Sequence, residues 1–327
     1  MAYASDRPVL VADIGGTHAR FAVSRPGADK PDEVSVLMTA LHASLEAALT
    51  SFLEAARPGP LAGAALCAAG PVAGDGGGRQ IVMTNCPWTV NAATVTQVTG
   101  VEAPVLVNDF TAVAVSLPYL GRDDLLQIGG GAPRAGAPKA VLGPGTGLGV
   151  SGLIGCADGS YTPLSGEGGH VSLAPGNARE IAVLFHLMQT YGTVSAERIL
   201  CGPGLEELYA ALGALDGSAE IGAPTAADIA RKATDGSSAL ARETIEVFTG
   251  QLGSVAGDLA LTLGAQGGVY LAGGILPRWG GLLDHALLRR RFEAKGRFKD
   301  YLARIPIYVI TTRDIALIGL TALARQT

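Results

Sequence analysis

A chain of 327 residues is about twice the size of an ordinary domain, long enough to build two cores with a cleft between them. Hydrophobic residues make up 48% and charged residues 16%, with 46 glycines and 18 prolines, which excludes a disordered chain and points to a turn-rich globular protein. The formal charge of −5 leaves no basic footprint for a phosphate backbone, so nucleic acid is not an expected partner.

The amino terminus, MAYASDRPVLVADIGG, lacks a cationic leader followed by an apolar stretch of signal-peptide length, and neither VLVA nor LAGAALCAAGPV is long enough to span a bilayer. The expectation is a cytoplasmic chain without membrane contact. Cys67, Cys86, Cys156 and Cys201 are scattered, with no CxxC pair and no histidine at metal spacing, and read as free thiols in a reducing compartment.

Short apolar strands around glycine turns come first: PVLVAD, ARFAVS and EVSVLM. A helix follows near Ser44 to Arg57, then AGAALCAAG and RQIVMTN as strands. A helix begins near Asn91, the strand APVLVND follows, and Phe110 to Leu117 reads as a helix stopped by Pro118. Pro118 to Gly121 is the candidate hinge. From Lys139, KAVLGPGTGLGVSGLI echoes VLVADIGGTHARFAVS, each setting a threonine in a glycine-rich turn between two apolar strands, and the echo suggests duplicated lobes.

Helices are then expected at Ala178 to Thr190, Gly204 to Leu212, Thr225 to Thr234 and Ser237 to Leu263. In the last, Leu240, Thr244, Val247, Phe248, Leu252, Val255, Leu259 and Leu263 draw an apolar stripe, and Gly253 and Gly257 suit close packing. The strand GVYLAGG, a helix at Asp284 to Ala294, the strand IPIYVI and a helix from about Asp314 complete the chain.

Asp13-Ile-Gly-Gly-Thr17 ends a predicted strand, where two glycines let backbone N–H groups approach an anion. A hairpin turn alone would explain the glycines. The carboxylate of Asp13 does not fit a bare phosphate site, because it repels the anion unless a cation such as Mg²⁺ bridges them through water. Gly143-Pro-Gly-Thr-Gly-Leu-Gly149 is a second such turn, with the Thr146 hydroxyl between Gly145 and Gly147. Two threonine-bearing turns at equivalent places would grip a polyphosphate from both sides, and they resemble the superfamily of actin, heat-shock ATPases and sugar kinases.

Asn108-Asp109 closes an apolar strand and opens a helix, so the aspartate would project at the ligand-binding end of the strand, although by itself the pair reads first as a helix cap. Gly166-Glu167-Gly-Gly-His170 sets a carboxylate and an imidazole in a glycine-flanked loop, able to bond adjacent hydroxyls, and no third ligand at suitable spacing supports zinc. Ser195-Ala-Glu197-Arg198 reads by itself as a capping box. Leu271-Ala-Gly-Gly274 runs from a strand into a glycine turn that can receive a nucleoside or simply start a helix.

Taken in order, ADIGGTHARFAV, TNCPW, VLVNDFTAVA, GPGTGLGV, LSGEGGHV, VSAERILCGPG, GGVYLAGGILPR and KGRFKDYLARIPIYVI closely resemble the bacterial glucokinase family, over nearly the whole chain. The resemblance implies an α/β, two-lobed actin-like ATPase (ribonuclease H-like) fold with an interlobe cleft. Its small domain would be residues 1–119 with a C-terminal helix at 312–327 returning to it, and its large domain residues 120–311.

It further implies ATP-dependent phosphorylation of D-glucose to glucose 6-phosphate, with Asp109 as general base and Asn108, Glu167, His170 and Glu197 on glucose. Ala12, Asp13, Ile14, Gly15, Gly16, Thr17, Thr146 and Gly147 would surround the ATP phosphates, Gly273 and Gly274 the adenosine, and Asp13 would reach Mg²⁺ through water. A homodimer is also implied.

His18 stands where the family usually carries asparagine, and TTRDIALIGLTALARQT departs from the family's ending. The rivals are a kinase for fructose or mannose, and a non-enzymatic actin-like nucleotide-binding protein. Absence of a cysteine-rich zinc motif and of room for a helix-turn-helix before Val9 argues against a sugar-sensing repressor. Arg289, Arg290, Arg291, Lys295, Arg297 and Lys299 are expected to form a solvated helix face in preference to a nucleic-acid surface. His42, His186, His285 and Trp88 are assigned no role.

Overall fold

VLVADI, rich in β-branched residues, and HARFAVS, with its apolar Ala19, Phe21, Ala22 and Val23, pair as the antiparallel hairpin of β1 (Val9–Ile14) and β2 (His18–Ser24), with Asp13 opposite Arg20. The computed structural model describes residues 6–83, 86–218 and 224–326, and it divides into two units, Met1–Gly121 with Thr312–Thr327, and Arg122–Thr311. Thr84 and Asn85, at the end of the expected strand RQIVMTN, lie outside the described residues.

In the first unit the hairpin is followed by β3 (Val34–Met38), α1 (Leu45–Ala56), β4 (Gly63–Ala68), β5 (Val72–Ala73), β6 (Gln80–Val82), β7 (Thr89–Asn91), α2 (Ala92–Thr99), β8 (Val105–Asn108) and α3 (Asp109–Ser116). The main sheet has the order β3-β2-β1-β4-β8, antiparallel from β3 to β1 and parallel from β1 through β4 to β8. A small antiparallel sheet joins β5, β6 and β7. Ser44 and Asn91 cap α1 and α2 by accepting an N–H three residues on, so the expected starts of these helices coincide with real caps.

α3 ends at Ser116, within one residue of the stop expected before Pro118, and Leu117–Tyr119 follows as a 3-10 turn in which the proline occupies a position needing no N–H partner. Leu10, Phe21, Leu49 and Leu66 are fully buried, and the Phe21 ring stacks on Phe52 at 5.4 Å between centroids. The C-terminal helix, Ile315–Ala324, packs against α3 so closely that a Cβ on Gly319 would lie 1.9 Å from the Ala112 carbonyl oxygen.

The second unit contains β9 (Leu125–Ile128), β10 (Lys139–Pro144), β11 (Leu148–Gly155), β12 (Tyr161–Leu164), α4 (Ala178–Tyr191), α5 (Gly202–Leu215), α6 (Ala226–Thr234), α7 (Ala239–Leu263), β13 (Val269–Leu271), α8 (Leu276–Trp279), α9 (His285–Glu293), α10 (Lys299–Ala303) and β14 (Ile307–Ile310). Its sheet runs β12-β11-β10-β13-β14-β9. The first five strands repeat the pattern of the first unit: an antiparallel meander of three, then two strands parallel to the first of them. β9 adds an antiparallel edge. The sequence echo is therefore a repeated topology.

On α7, Thr244, Val247, Phe248 and Leu252 are buried, as the apolar stripe requires. A Cβ on Gly253 would lie 2.4 Å from the Leu288 carbonyl oxygen and one on Gly257 2.5 Å from that of Phe292, so both glycines are what let α9 approach.

The basic run is not a solvated face. Arg289 pairs with Glu293 and donates to the carbonyls of Leu302 and Ile305, Arg291 pairs with the buried Glu180, and Lys295 lies 2.7 Å from Asp258. Those three side chains are 13%, 14% and 17% exposed, because the acids they meet come from α4, α7 and α9 itself. Arg290, Arg297 and Lys299 alone face solvent. Trp88 is buried, its indole N–H donating to the His42 carbonyl at 3.2 Å.

Candidate functional site

In the first unit, the parallel strands β1, β4 and β8 align their carboxyl ends, where open α/β sheets receive ligands. Register sets Asp13 beside Cys67, and Ala68 beside Asn108. The Asp13–Thr17 segment and the Asn108-Asp109 pair therefore emerge on the same sheet edge, separated by one strand, or about 10 Å at ordinary strand spacing.

The Gly15 N–H donates to the His18 carbonyl at 2.9 Å, closing the turn. Thr39, just beyond β3, pins it further, its hydroxyl donating to the Gly16 carbonyl at 2.7 Å and its N–H to the Thr17 carbonyl at 3.0 Å. Thr17 itself is exposed.

Asn108 caps α3: its side-chain oxygen accepts from the N–H groups of Phe110 at 2.9 Å and Thr111 at 3.4 Å, and its Nδ2 donates to the Gly70 carbonyl at 3.3 Å. The capping role and the strand-end role thus fall on adjacent residues. With Asn108 as the cap, Asp109 is the first residue of α3, half-buried, its Oδ1 accepting from the Phe110 N–H at 2.9 Å.

Asp13 is held on both oxygens. The Cys67 thiol donates to Oδ1 at 3.5 Å and Arg20 reaches Oδ2 at 3.3 Å. Burial pushes its carboxyl above the ordinary range, against the pull of the Arg20 charge. Burial also drives the Cys67 thiol well above its usual value, helped by the negative charges of Asp13 and Asp109. Among the described residues no group of three or more His, Cys, Asp or Glu is arranged to hold a metal. One carboxylate beside a phosphate-sized turn fits Mg²⁺ held through water and phosphate oxygens, the ion's usual arrangement, and does not fit a protein-only cage.

In the second unit, the Gly145 N–H donates to the Gly147 carbonyl at 2.8 Å, leaving Thr146 exposed at the tip between β10 and β11. Glu197 ties this turn to the glycine-flanked loop. Its Oε2 accepts from the Leu148 N–H at 2.8 Å, its own N–H donates to the Gly169 carbonyl at 2.8 Å, and its Oε1 lies 3.8 Å from His170 Nδ1. Gly169 is buried where a Cβ would lie 2.1 Å from the Leu148 carbonyl oxygen, while Glu167 and His170 remain exposed on either side.

Ser195 does accept from the Arg198 N–H at 3.3 Å, as a capping box would have it, but a turn follows and the next helix, α5, starts only at Gly202 with Cys201 as its cap. Gly273, at φ +90°, packs against the end of β10, where a Cβ would lie 2.4 Å from the Pro144 carbonyl oxygen. Gly274 beside it is exposed.

Thr146, Gly147, Glu167, His170 and Glu197 form one neighbourhood, and Gly273 and Gly274 lie at the end of the adjoining strand β13. Three participants escape a linear reading: Arg20, Cys67 and the Leu148 N–H. Arg20 had a usable signal, since residues 13 and 20 are equidistant from the turn and must face each other across an antiparallel hairpin.

A family model described as Glucokinase matches residues 10–327. A glucokinase of Chromobacterium violaceum is 46% identical over 317 residues, covering 96% of this chain and 88% of its own. One of Aromatoleum aromaticum is 48% identical over 314 residues, 95% of this chain and 93% of its own. A crystal structure of glucokinase from an Antarctic psychrotroph superposes with a TM-score of 0.88 at 34% identity, covering 99% of this chain and 100% of that one. The repeated strand order is the α/β architecture of the actin-like ATPase fold. With matches of this identity and coverage, the chain belongs to the glucokinase family.

Proposed function

We propose that the chain transfers the terminal phosphoryl group of ATP to the 6-hydroxyl of D-glucose, giving glucose 6-phosphate. The observation that carries the residue assignment is the division of labour at the end of β8: Asn108 satisfies the N–H groups of α3, and Asp109 stands beside it on the edge that carries the Asp13–Thr17 turn.

Asp109 accepts the proton of the 6-hydroxyl as the new P–O bond forms, a contribution of roughly 10² to 10⁴-fold for a positioned base. Asn108, Glu167, His170 and Glu197 hold glucose by its hydroxyls; Glu197 is already oriented by the Leu148 N–H, so its other oxygen is preset for a sugar donor. Thr17 and the N–H groups of the first turn, with Thr146 and Gly147 in the second, donate to phosphate oxygens. Asp13 would hold Mg²⁺ through water, and the charge neutralisation at the phosphates is what the ion would supply. Gly273 and Gly274 keep side chains away from the adenosine.

A cytoplasmic location and a homodimer belong to the same proposal. In support of the dimer, α4 exposes Ile181, Phe185 and Met188 at positions i, i+4 and i+7, an apolar stripe that a second copy would cover. Sedimentation equilibrium giving a monomer across the micromolar range would remove that part.

The test of the activity is a coupled assay with MgATP and a hexose panel. Glucose is expected to give the highest kcat/KM, with the phosphate on O6 by NMR. Equal or better turnover of fructose or mannose would make the chain a kinase for that sugar, and ATP binding without any sugar-stimulated turnover would favour a non-enzymatic nucleotide-binding protein.

A further inference from the structure

Asp314 is one of two described non-glycine residues with left-handed backbone, at φ 52° and ψ 34°. That conformation is costly for an L-residue and is kept where the surroundings demand it. Its place makes the cost harder to explain. Asp314 precedes the C-terminal helix, where an aspartate in extended conformation would cap the helix N–H groups, and its side chain makes no such bond. The carboxylate is turned instead to β2, with Oδ1 3.2 Å from Arg20 Nε.

Arg20 thus has two acids to serve. Its Nη1 lies 3.3 Å from Asp13 Oδ2, opposite it in the hairpin, while its Nε is taken by Asp314. Both contacts are single and long. A guanidinium facing one carboxylate ordinarily closes on it with two short parallel bonds. Here the two nitrogens are divided between two acids.

The support behind Asp314 is rigid. Gly319 wedges the helix against α3, and at the far end Arg325 donates to the Arg25 carbonyl at 2.6 Å and to the Ser24 hydroxyl at 3.3 Å, so the helix is tied to β2 at both ends.

We propose that Asp314 is a positioning residue that competes for Arg20 and so leaves the Asp13 carboxylate available to the water shell of Mg²⁺. This rests on the reading that Asp13 serves MgATP. Without Asp314, Arg20 pairs fully with Asp13, and binding of the metal-loaded nucleotide weakens while glucose binding does not.

The test uses Asp314→Gly, which relieves the backbone, and Asp314→Asn, which tolerates it. Calorimetry with a non-hydrolysable ATP analogue is run with Mg²⁺ and with EDTA, beside thermal melts and steady-state kinetics. Both variants are expected to melt no lower than the wild type. Each should lose about tenfold in analogue affinity with Mg²⁺ and none without it, as expected for one charge-assisted contact, and each should keep its KM for glucose. In an Arg20→Gln background Asp314→Gly should have no further effect.

Unchanged Mg²⁺-dependent affinity in both variants overturns the inference, as does an equal loss with EDTA or a lowered melting temperature, either of which would make the role structural. A wild type that binds the Mg²⁺-loaded analogue but does not phosphorylate glucose would overturn the proposed function and leave this test standing.

Discussion

Single residues here are shaped by neighbours far along the chain. Cys67 is a case with a chemical consequence: on the interior strand β4 beside Asp13, it is buried and feels the charges of Asp13 and Asp109, so its thiol stays protonated well past the usual range. The unfolded chain releases that proton at the ordinary thiol value and the folded chain does not, so this group's contribution to stability is full below that value and falls as pH rises above it. Native protein treated with a thiol alkylator at mildly alkaline pH is expected to react at the exposed Cys156 and to spare Cys67, and Cys67→Ala should flatten the alkaline decline in denaturant midpoint. Labelling of Cys67 before unfolding would contradict the assignment. The same dependence on distant neighbours limited what could be read from the chain alone. Capping at Asn108-Asp109 was legible because the pair stands between an apolar strand and an expected helix. The engagement of Glu197 with the Leu148 N–H, across 49 residues, has no local signature. Arg20 was hidden only until the hairpin register was drawn.

At the scale of elements, strands flanked by glycine turns and helices with capping side chains were the parts the sequence declared. The ends of α1, α6 and α7 fall within two residues of the expected Ser44 to Arg57, Thr225 to Thr234 and Ser237 to Leu263, and α2 starts next to Asn91 as expected. The short strands β5, β7, β9 and β12 were not foreseen, since two to four residues offer too little alternation to show a period. The basic run on α9 was misread for a different reason: helix periodicity says which residues share a face, but not that an acid on α4 waits opposite. Glu180 is 2% exposed and accepts from the Gly176 N–H at 2.6 Å, Asn177 at 2.9 Å, Gln251 at 2.7 Å and the Arg291 guanidinium. Every lone-pair direction is used. Arg291→Ala leaves that charge buried and under-satisfied, and is expected to cost about 3 to 5 kcal/mol by denaturant unfolding. A loss below 1 kcal/mol would show the pair to be an ordinary surface contact.

For the molecule as a whole, the repeated strand order explains why the candidate residues fall where they do. Each unit presents a threonine-bearing turn after the first strand of its meander and further polar groups or bare backbone at the ends of the neighbouring parallel strands. The duplication was visible as two glycine-threonine turns. The parallel pairing of those strands with others 54 and 129 residues away follows from topology and could be reached only through the family resemblance. A chain of this family can hold sugar and nucleotide well and still fail as a kinase without a base at the sugar oxygen, which makes Asp109 the residue on which the account turns. The decisive measurement is turnover of Asp109→Ala set against its glucose affinity by calorimetry. A loss of at least about 10²-fold in kcat with glucose affinity within a few-fold of the wild type is predicted; near-normal turnover in the variant would contradict it.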